Sequence, residues 1–417
     1  MYERIVLPNG VRILLEPVPG VRSATLGFWI GAGSRQEKAG ESGAAHFIEH
    51  MSFKGTANRT AQKLAQEMDA IGGQMNAYTT KECTSFYARV LDTHLAQAAD
   101  ILCDMLFSSK FDESDVATER GVILEEVHMY ADDPEDLCAE RLSAKVFQGC
   151  PLARPILGRR ATLEKFTGES LRAWQWEHYA PSRIVAALAG SFSAADVDGL
   201  KARLGALEAR PAPGFRPGSY VPGFTARKKA TEQNHVTLAF PGLPLGSPDR
   251  FSLQLLSAIL GGGMSSRLWQ TVREERGLCY SVYSYGASFQ DVGLFAIYTA
   301  TGADTEQEAL ETIVREVRAF QKDGVTEEEL SRVREQSKTN VLMGLESTQS
   351  RMSALGQGEL FTGQVLTAEE VIAAYDAVTA EDVRRMAQRV LDFERVSLSA
   401  VGRVGTEEHY RDLLRAY

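Results

Sequence analysis

The segment His46-Phe47-Ile48-Glu49-His50 is the most informative stretch of this sequence, and the rest of the chain is interpreted around it. On an α-helix each residue turns the face by about 100°, so His46, Glu49 and His50 fall on one arc of roughly 100°. Two imidazoles one turn apart form a common zinc-binding pair, and Ser42-Gly43 directly before them is a plausible helix cap. A carboxylate beside that pair stands where a general base for a zinc-bound water is needed. The alternative is a surface helix with two unrelated histidines.

The bulk properties of the chain describe an ordinary soluble protein. Its 417 residues suggest two domains of about 200 residues each. Hydrophobic residues make up 44% and charged residues 24%, which is typical of globular proteins. The net charge of -10 argues against a nucleic-acid partner, because no basic excess is present to neutralise phosphates.

Several negative features of the sequence favour a cytoplasmic location. No apolar run reaches the 18 or more residues of a membrane span, and the strand-like start of the chain lacks the pattern of a signal peptide. The five cysteines are scattered without a CxxC pair, which favours reduced thiols. We therefore expect a cytoplasmic protein without a membrane partner.

With Met51-Ser52-Phe53-Lys54-Gly55-Thr56 after it, the histidine segment resembles the inverzincin motif of the pitrilysin (insulinase) family of zinc metallopeptidases. The resemblance is to the branch with the mitochondrial processing peptidase and its bacterial relatives, and it extends over nearly the whole chain. It implies an α+β fold of two homologous domains, each an antiparallel-rich mixed sheet with helices packed on one face, forming half of a clamshell. It also implies one Zn²⁺ per chain.

A third metal ligand is expected on the helix that spans residues 112–130. Apolar positions in this segment define one stripe at 100° per residue, and Glu126 flanks that stripe while Glu125 points to the opposite side. Glu126 is therefore the better ligand candidate. The family resemblance agrees, because the family's third ligand follows the histidine pair at a similar spacing. An acidic helix face without a metal is the alternative.

Three further positions are assigned roles by the resemblance. Glu119 matches a family carboxylate that supports a ligand histidine from behind. Asn76 and Ala77 match substrate-contacting positions on an exposed edge strand, to which substrate adds as a further strand through backbone pairing. The alternatives are an acidic helix face without a metal for Glu119 and an ordinary edge strand with a turn-forming Asn at 76.

The chain is expected to divide into a zinc-binding domain at 1–209, a linker at 210–225 and a homologous domain at 226–417. The linker carries four prolines between Arg210 and Thr225, with little helical or strand pattern. The second half repeats strand and helix patterns of the first weakly, but it has no histidine at the place of the metal pair. We therefore expect a second domain without a metal site.

Two residues of the second half are expected to act in the reaction. Arg273 and Tyr280, seven apart, match a family pair that reaches the substrate backbone near the scissile bond, where a phenol donor stabilises a developing oxyanion. A surface ion pair and a core tyrosine form the alternative. Gly261-Gly262-Gly263 resembles the family's glycine-rich loop, and a phosphate-binding loop is disfavoured because no GK[ST] follows.

These features together predict a zinc metalloendopeptidase that hydrolyses internal bonds of peptides or unfolded segments in an enclosed chamber. His46, His50 and Glu126 would hold zinc with a water as fourth ligand, and Glu49 would move the proton from that water to the leaving amine. Because the family chamber needs four such domains, we expect a homodimer or a heterodimer with a related chain, with Arg273 and Tyr280 acting in cis or in trans. The alternatives are a non-catalytic paralogue that serves as scaffold or partner subunit, and a metal hydrolase for a non-peptide substrate.

Overall fold

The computed structural model describes residues 2–415 and divides them into two compact units. The first unit comprises residues 2–127, Arg154–Arg216 and Met343–Thr367, and the second comprises His128–Ala153, Pro217–Leu342 and 368–415. The main boundary, between Arg216 and Pro217, lies inside the segment 210–225 that the sequence marks as a linker, and this segment contains no helix and little strand.

The first unit is built on a six-stranded mixed sheet with the strand order β1-β2-β6-β3-β5-β4. The strands are β1 (Glu3–Val6), β2 (Arg12–Pro17), β3 (Ser23–Ile30), β4 (Gln74–Thr79), β5 (Thr84–Leu91) and β6 (Ile184–Gly190). Only the β2–β6 pair is parallel. The strand β6 is buried along its whole length, as expected for a strand covered on both faces.

Helices of the first half of the sequence supply most of the cover for this sheet. The helices of this half are α1 (Ala44–Ser52), α2 (Ala61–Ala70), α3 (Leu95–Phe107), α4 (Glu113–Asp132), α5 (Pro134–Val146), α6 (Arg160–Leu163), α7 (Gly168–His178) and α8 (Ala194–Gly205), and all of them except α5 lie wholly or mainly in the first unit. On one face of the sheet, α1 and α3 pack against strands and are backed by α7 and α8. The main core of the unit lies between these layers.

The second unit repeats this plan with a five-stranded sheet in the order β7-β11-β8-β10-β9. Its strands are β7 (Phe224–Lys228), β8 (Asn234–Pro241), β9 (Cys279–Ser288), β10 (Gly293–Thr301) and β11 (Ser397–Gly402). The remaining helices of the chain are α9 (Arg250–Gly261), α10 (Glu306–Asp323), α11 (Glu327–Gly344), α12 (Thr348–Thr362), α13 (Ala368–Ala377), α14 (Ala380–Val390) and α15 (Glu407–Arg415). Only the β7–β11 pair is parallel, as β2–β6 is in the first unit.

Each sheet is covered on its other face by a helix from the opposite half of the sequence. The helix α12 packs on β3 and β6, where its Met352 and Leu355 join a small core around the buried Trp29. At its far end, Glu359 accepts two hydrogen bonds from the Arg4 guanidinium, both 2.9 Å long. In the second unit, α5 packs on β8 and β11 in the same manner.

The predicted fold class is therefore confirmed, and the exchanged helices add to it. The sequence predicts continuous domains with helices on one face, whereas each compact unit takes a segment of the other half to cover its second face. The physical reason is that both faces of a strand such as β6 are apolar, so one layer of helices cannot cover the sheet. No helix within residues 2–415 combines the length and apolar character that a membrane crossing requires.

Candidate metal centre and active site

The first unit brings three side chains of the expected ligand set together. His46 and His50 lie one turn apart on α1, and Glu126 approaches them from α4. The Oε2 atom of Glu126 lies 3.6 Å from Nε2 of His46 and 3.5 Å from Nε2 of His50. Glu125, the neighbouring carboxylate, is exposed on α4 and takes no part in this group.

The geometry of this group fits a zinc ion. Zinc bonds to nitrogen and oxygen are about 2.1 Å long, so two ligand atoms of a tetrahedral ion lie about 3.4 Å apart. Both histidine–carboxylate separations are close to that value, and the ligand atoms all lie within 4.8 Å of one another. Two imidazoles and one carboxylate leave one position of a tetrahedron to water or substrate, which is the pattern of catalytic zinc.

A second carboxylate orients one of the two imidazoles. Nδ1 of His50 lies 3.1 Å from Oε2 of the buried Glu119, and Nζ of Lys54 lies 2.5 Å from the other oxygen of that carboxylate. A carboxylate at Nδ1 favours the tautomer whose Nε2 carries the lone pair, which is the form that binds metal. His46 differs, since its Nδ1 is buried without a hydrogen-bond partner among the described residues.

Glu49 lies on α1 between the histidines, and a residue of the sheet holds its carboxyl group in place by a hydrogen bond. The Thr79 hydroxyl, at the end of β4, donates to Oε2 of Glu49 at 2.5 Å. Burial raises the pKa of Glu49, against the opposing effects of the Thr79 hydrogen bond and the His50 charge. A half-buried carboxylate with a raised pKa binds a proton more readily than a surface glutamate, which suits a general base.

The two histidines differ in their affinity for protons. Burial lowers the pKa of His46 to about 4, and the nearby His50 charge adds to this effect. Burial would also lower the pKa of His50, but hydrogen bonds and charges from Glu126 and Glu119 outweigh it and raise that pKa. The hydrogen bond from His50 in turn lowers the pKa of Glu126. His46 is therefore neutral and ready to bind metal at neutral pH, whereas His50 competes for a proton.

The expected substrate-contacting positions lie on an edge strand. The strand β4 carries Asn76 and Ala77 and pairs with β5 alone, at the end of the sheet order. The backbone N–H of Ala77 donates to the carboxamide oxygen of Asn76 at 2.8 Å. A backbone donor on this strand is thus satisfied by a small, exposed side chain that an added strand could replace.

Arg273 and Tyr280 lie together in the second unit. Arg273 belongs to a π-helical turn, Trp269–Glu274, and its guanidinium carbon is 3.8 Å from the Trp269 ring centroid and 5.1 Å from that of Tyr280. Tyr280 is the second residue of β9, and its side chain is 70% exposed. The pair therefore presents a stacked cation and an open phenol, and the alternative of a core tyrosine is wrong.

Sequence reasoning missed several residues of these groups. Thr79 and Lys54 contact site carboxylates across the fold, and no local spacing links them to Glu49 or Glu119. Trp269 could have been found, because it precedes Arg273 by four residues and so shares its face on a helix. Within residues 2–415, the His46, His50 and Glu126 group is the one cluster of three or more side chains able to hold a metal ion.

Comparison with known proteins identifies the family to which this chain is related. Residues 12–160 match the family model for insulinase, peptidase family M16, and residues 165–337 match the model for the inactive domain of the same family. An uncharacterized zinc protease of Bacillus subtilis is 43% identical over 94% of this chain and 96% of its own length. An uncharacterized zinc protease of Streptomyces coelicolor is 40% identical over 96% of this chain and 89% of its own.

Two solved structures share the fold. A protease from Helicobacter pylori superposes with a TM-score of 0.90 at 19% identity, covering 96% of this chain and 99% of that one. A peptidase M16 inactive domain from Pseudomonas fluorescens also reaches 0.90, at 22% identity, over 97% of this chain and 99% of its own. The family models together span most of the sequence, and the relatives match it nearly end to end. The chain therefore belongs to the insulinase family of peptidases, family M16.

Proposed function

We propose that this protein is a zinc metalloendopeptidase that hydrolyses internal bonds of peptides or unfolded polypeptide segments. The observation that carries the proposal is the convergence of His46, His50 and Glu126 on the elements that also place the half-buried carboxylate of Glu49. The family relationship supports a peptidase, and the ligand set supports zinc.

The roles of the residues follow from their positions. When bound, a zinc ion would supply Lewis-acid activation of water and of the peptide carbonyl. Thr79 holds Oε2 of Glu49 and leaves Oε1 for proton transfer. Glu49 accepts a proton from the attacking water while the water oxygen bonds to the carbonyl carbon. It then gives that proton to the amine nitrogen as the C–N bond breaks.

Substrate binding is proposed to use backbone pairing at β4. An extended peptide that adds to this edge would offer a carbonyl to the Ala77 N–H in place of the Asn76 side chain. Such pairing is indifferent to side-chain identity, which suits a peptidase for many sequences. We further propose that Arg273 and Tyr280 bind the substrate backbone, with the exposed Tyr280 hydroxyl donating to the developing oxyanion.

We also propose that the protein works as a dimer, with a second copy or with a related chain. Light scattering gives the mass of the assembly. Mixing a Tyr280→Phe variant with a Glu49→Gln variant tests whether Tyr280 acts on the partner's site, because each then lacks a different part of the machinery. Recovery of activity after subunit exchange supports action in trans, and lack of recovery in an exchanging dimer supports action in cis.

The decisive experiment compares wild type with Glu49→Gln at equal zinc content on a long, unstructured fluorogenic peptide. We expect wild type to cleave and the variant to lose activity by at least a factor of 100, within the range of general-base effects. Glu125→Gln is the matched control, because its carboxylate is exposed on α4 and lies outside the metal group. Zinc-loaded wild type that cleaves no peptide would overturn the proposal and favour a non-catalytic partner subunit.

A further inference from the structure

The helix that carries both metal-binding histidines cannot cap its own N-terminus. Its N-cap residue, Gly43, has φ = 100°, a left-handed conformation that favours glycine. A Cβ at this position would lie 2.9 Å from both Gly158 Cα and the Leu157 carbonyl oxygen. Ser42, the hydroxyl that the sequence offers as a cap, is buried with its Oγ unpaired among the described residues. The first turn of α1 therefore needs an acceptor from elsewhere.

Glu37 supplies that acceptor from outside the helix. Its Oε2 accepts the backbone N–H of Gly43 at 2.9 Å, and its Oε1 accepts the N–H of Ala45 at 3.0 Å. Two of the N–H groups that a helix start leaves unpaired are thus bound by one carboxyl group.

Burial of the Glu37 carboxyl group is unfavourable in free energy. Glu37 is 2% exposed, and its burial raises its pKa to about 8 against the opposing effects of the two N–H donors, Arg154 and Lys81. Burial of a carboxyl group costs free energy that an apolar side chain of the same size would not cost. The two hydrogen bonds to the first turn of α1 offset this cost.

The turn that Glu37 holds is the turn that places His46. His46 is the third helical residue, and its Nδ1 has no hydrogen-bond partner among the described residues. His50, one turn later, is oriented by Glu119 through its own Nδ1. The two ligand imidazoles are therefore set in place differently, His50 through its ring and His46 through its backbone.

We propose that Glu37 is a positioning residue for the metal site, because it fixes the first turn of α1 and with it the His46 imidazole. The inference rests on the proposed zinc site and does not require that the protein cleaves peptides. The zinc dissociation constant, measured by competition with a chromogenic chelator, is therefore the primary readout.

The test compares Glu37→Gln with two controls. Gln keeps one acceptor oxygen and replaces the other by an NH₂ group that cannot accept, so one N–H of the turn loses its partner. Glu41→Gln makes the same chemical change at a residue that bonds the Lys38 N–H in the same segment. Thr60→Ala removes the side-chain cap of α2, which carries no ligand.

We expect Glu37→Gln to raise the zinc dissociation constant about tenfold, the lower end of the range for residues that orient ligands. Its cobalt-substituted form should show altered d–d bands, because one ligand is displaced. Both controls should bind zinc within about twofold of wild type, although Thr60→Ala loses stability. Unchanged zinc affinity and an unchanged cobalt spectrum in Glu37→Gln would overturn the proposal.

A second measurement needs no variant and guards against misfolding. In wild-type protein stripped of zinc, hydrogen exchange should show the amides of Gly43 and Ala45 still protected, because Glu37 and not the metal holds them. Rapid exchange of both amides on zinc removal would show that the metal organises the turn, and the proposal would fall. Peptidase assays on the same samples report separately on the proposed function.

Discussion

Nδ1 of His50 lies 3.1 Å from Oε2 of Glu119, so the carboxylate on α4 fixes the ring of a ligand on α1. The same helix supplies Glu126 two turns later, which approaches Nε2 of His50 at 3.5 Å. One face of α4 therefore places two carboxylates around a single imidazole. Glu119 orients the ring through Nδ1, and Glu126 is the candidate metal ligand on the Nε2 side.

Replacement of Glu119 by Gln should weaken zinc binding by about 10- to 100-fold. The amide cannot carry the negative charge that attracts the His50 Nδ1–H. Its NH₂ group is a donor and cannot accept a hydrogen bond from that N–H. Chelator competition at pH 7.5 measures the change. Glu125→Gln, on the same helix and exposed, should bind zinc as wild type does. Equal affinities for the two variants would contradict the assigned role of Glu119.

Zinc affinity should depend on pH through one histidine and not two. Nearby carboxylates raise the pKa of His50 in the metal-free site, so below that pKa zinc must displace a proton. The pKa of His46 is lowered to about 4, so this ring is already neutral above pH 5. Affinity should therefore fall about tenfold per pH unit on the acid side of the His50 pKa, with one proton released per zinc. Calorimetry in buffers of different ionisation enthalpy counts these protons, and a value near two would be inconsistent with this assignment.

Ala77→Pro should impair substrate binding at the edge of the first sheet. Proline removes the N–H that now donates to Asn76 and that we assign to the substrate carbonyl, and edge strands tolerate it. Loss of one such bond should raise KM about five- to tenfold, with a smaller effect on kcat. Ala77→Ser keeps the N–H and is the control. If both variants show the same KM, backbone pairing at this residue does not contribute to binding.

The stability of the second unit should depend on one bidentate ion pair. Arg267 donates to both oxygens of Glu329 at 2.7 and 2.8 Å, and this lowers the pKa of Glu329 to about 2. A depressed carboxyl pKa adds stability above the unfolded value, and that stability is lost as pH falls from about 4.5 towards 2. Because solvent screens this partly exposed pair, Glu329→Gln should cost about 1–2 kcal/mol at pH 7, and the difference from wild type should be clearly smaller at pH 3.5.

Urea unfolding of metal-free protein at the two pH values measures this difference. Glu327→Gln, exposed in the first turn of the same helix, should change stability by less than about 0.5 kcal/mol. If the difference in unfolding free energy between Glu329→Gln and wild type is the same at both pH values, the lowered pKa of Glu329 does not contribute to stability.

Gly356→Ala should loosen the exchanged helix α12. A Cβ at Gly356 would lie 2.2 Å from Cε3 of the buried Trp29, so helix or indole must move, at about 1–3 kcal/mol. Gly121→Ala is the matched control, since it also lies within a helix but has no atom within 4 Å of its added Cβ. That control should raise stability by up to about 1 kcal/mol. Thermal unfolding should rank the variants with Gly121→Ala above wild type and Gly356→Ala below it.

The sequence predicts those parts of the site that lie at fixed spacing on a helix. His46, Glu49 and His50 share a face because 3.6 residues make a turn, and the same periodicity separates Glu126 from Glu125. The ends of helices are less predictable. Ser42 has the right chemistry for a cap, yet Gly43 takes a left-handed conformation and the acceptor comes from Glu37, in a preceding turn.

The pattern of apolar residues in the sequence does not predict which distant segments contact each other. The apolar positions of α12 show that it buries a face, but hydrophobic burial has no direction and does not identify the sheet. Nothing near Met352 in the sequence points to Trp29, which it meets across more than 300 residues. The same holds for Thr79 and Glu49, which are joined by a bond between sheet and helix.

The exchange of helices has a consequence for how the chain is made. Trp29 and the strands around it are complete once β6 has left the ribosome, but α12 follows about 160 residues later, which at 5–20 residues per second is roughly 8–30 s. During that interval one face of the first sheet, including Leu14, Val185 and Ala187, is open to water. Nascent chains of this protein should therefore be clients of ribosome-associated chaperones until the last quarter of the message has been translated.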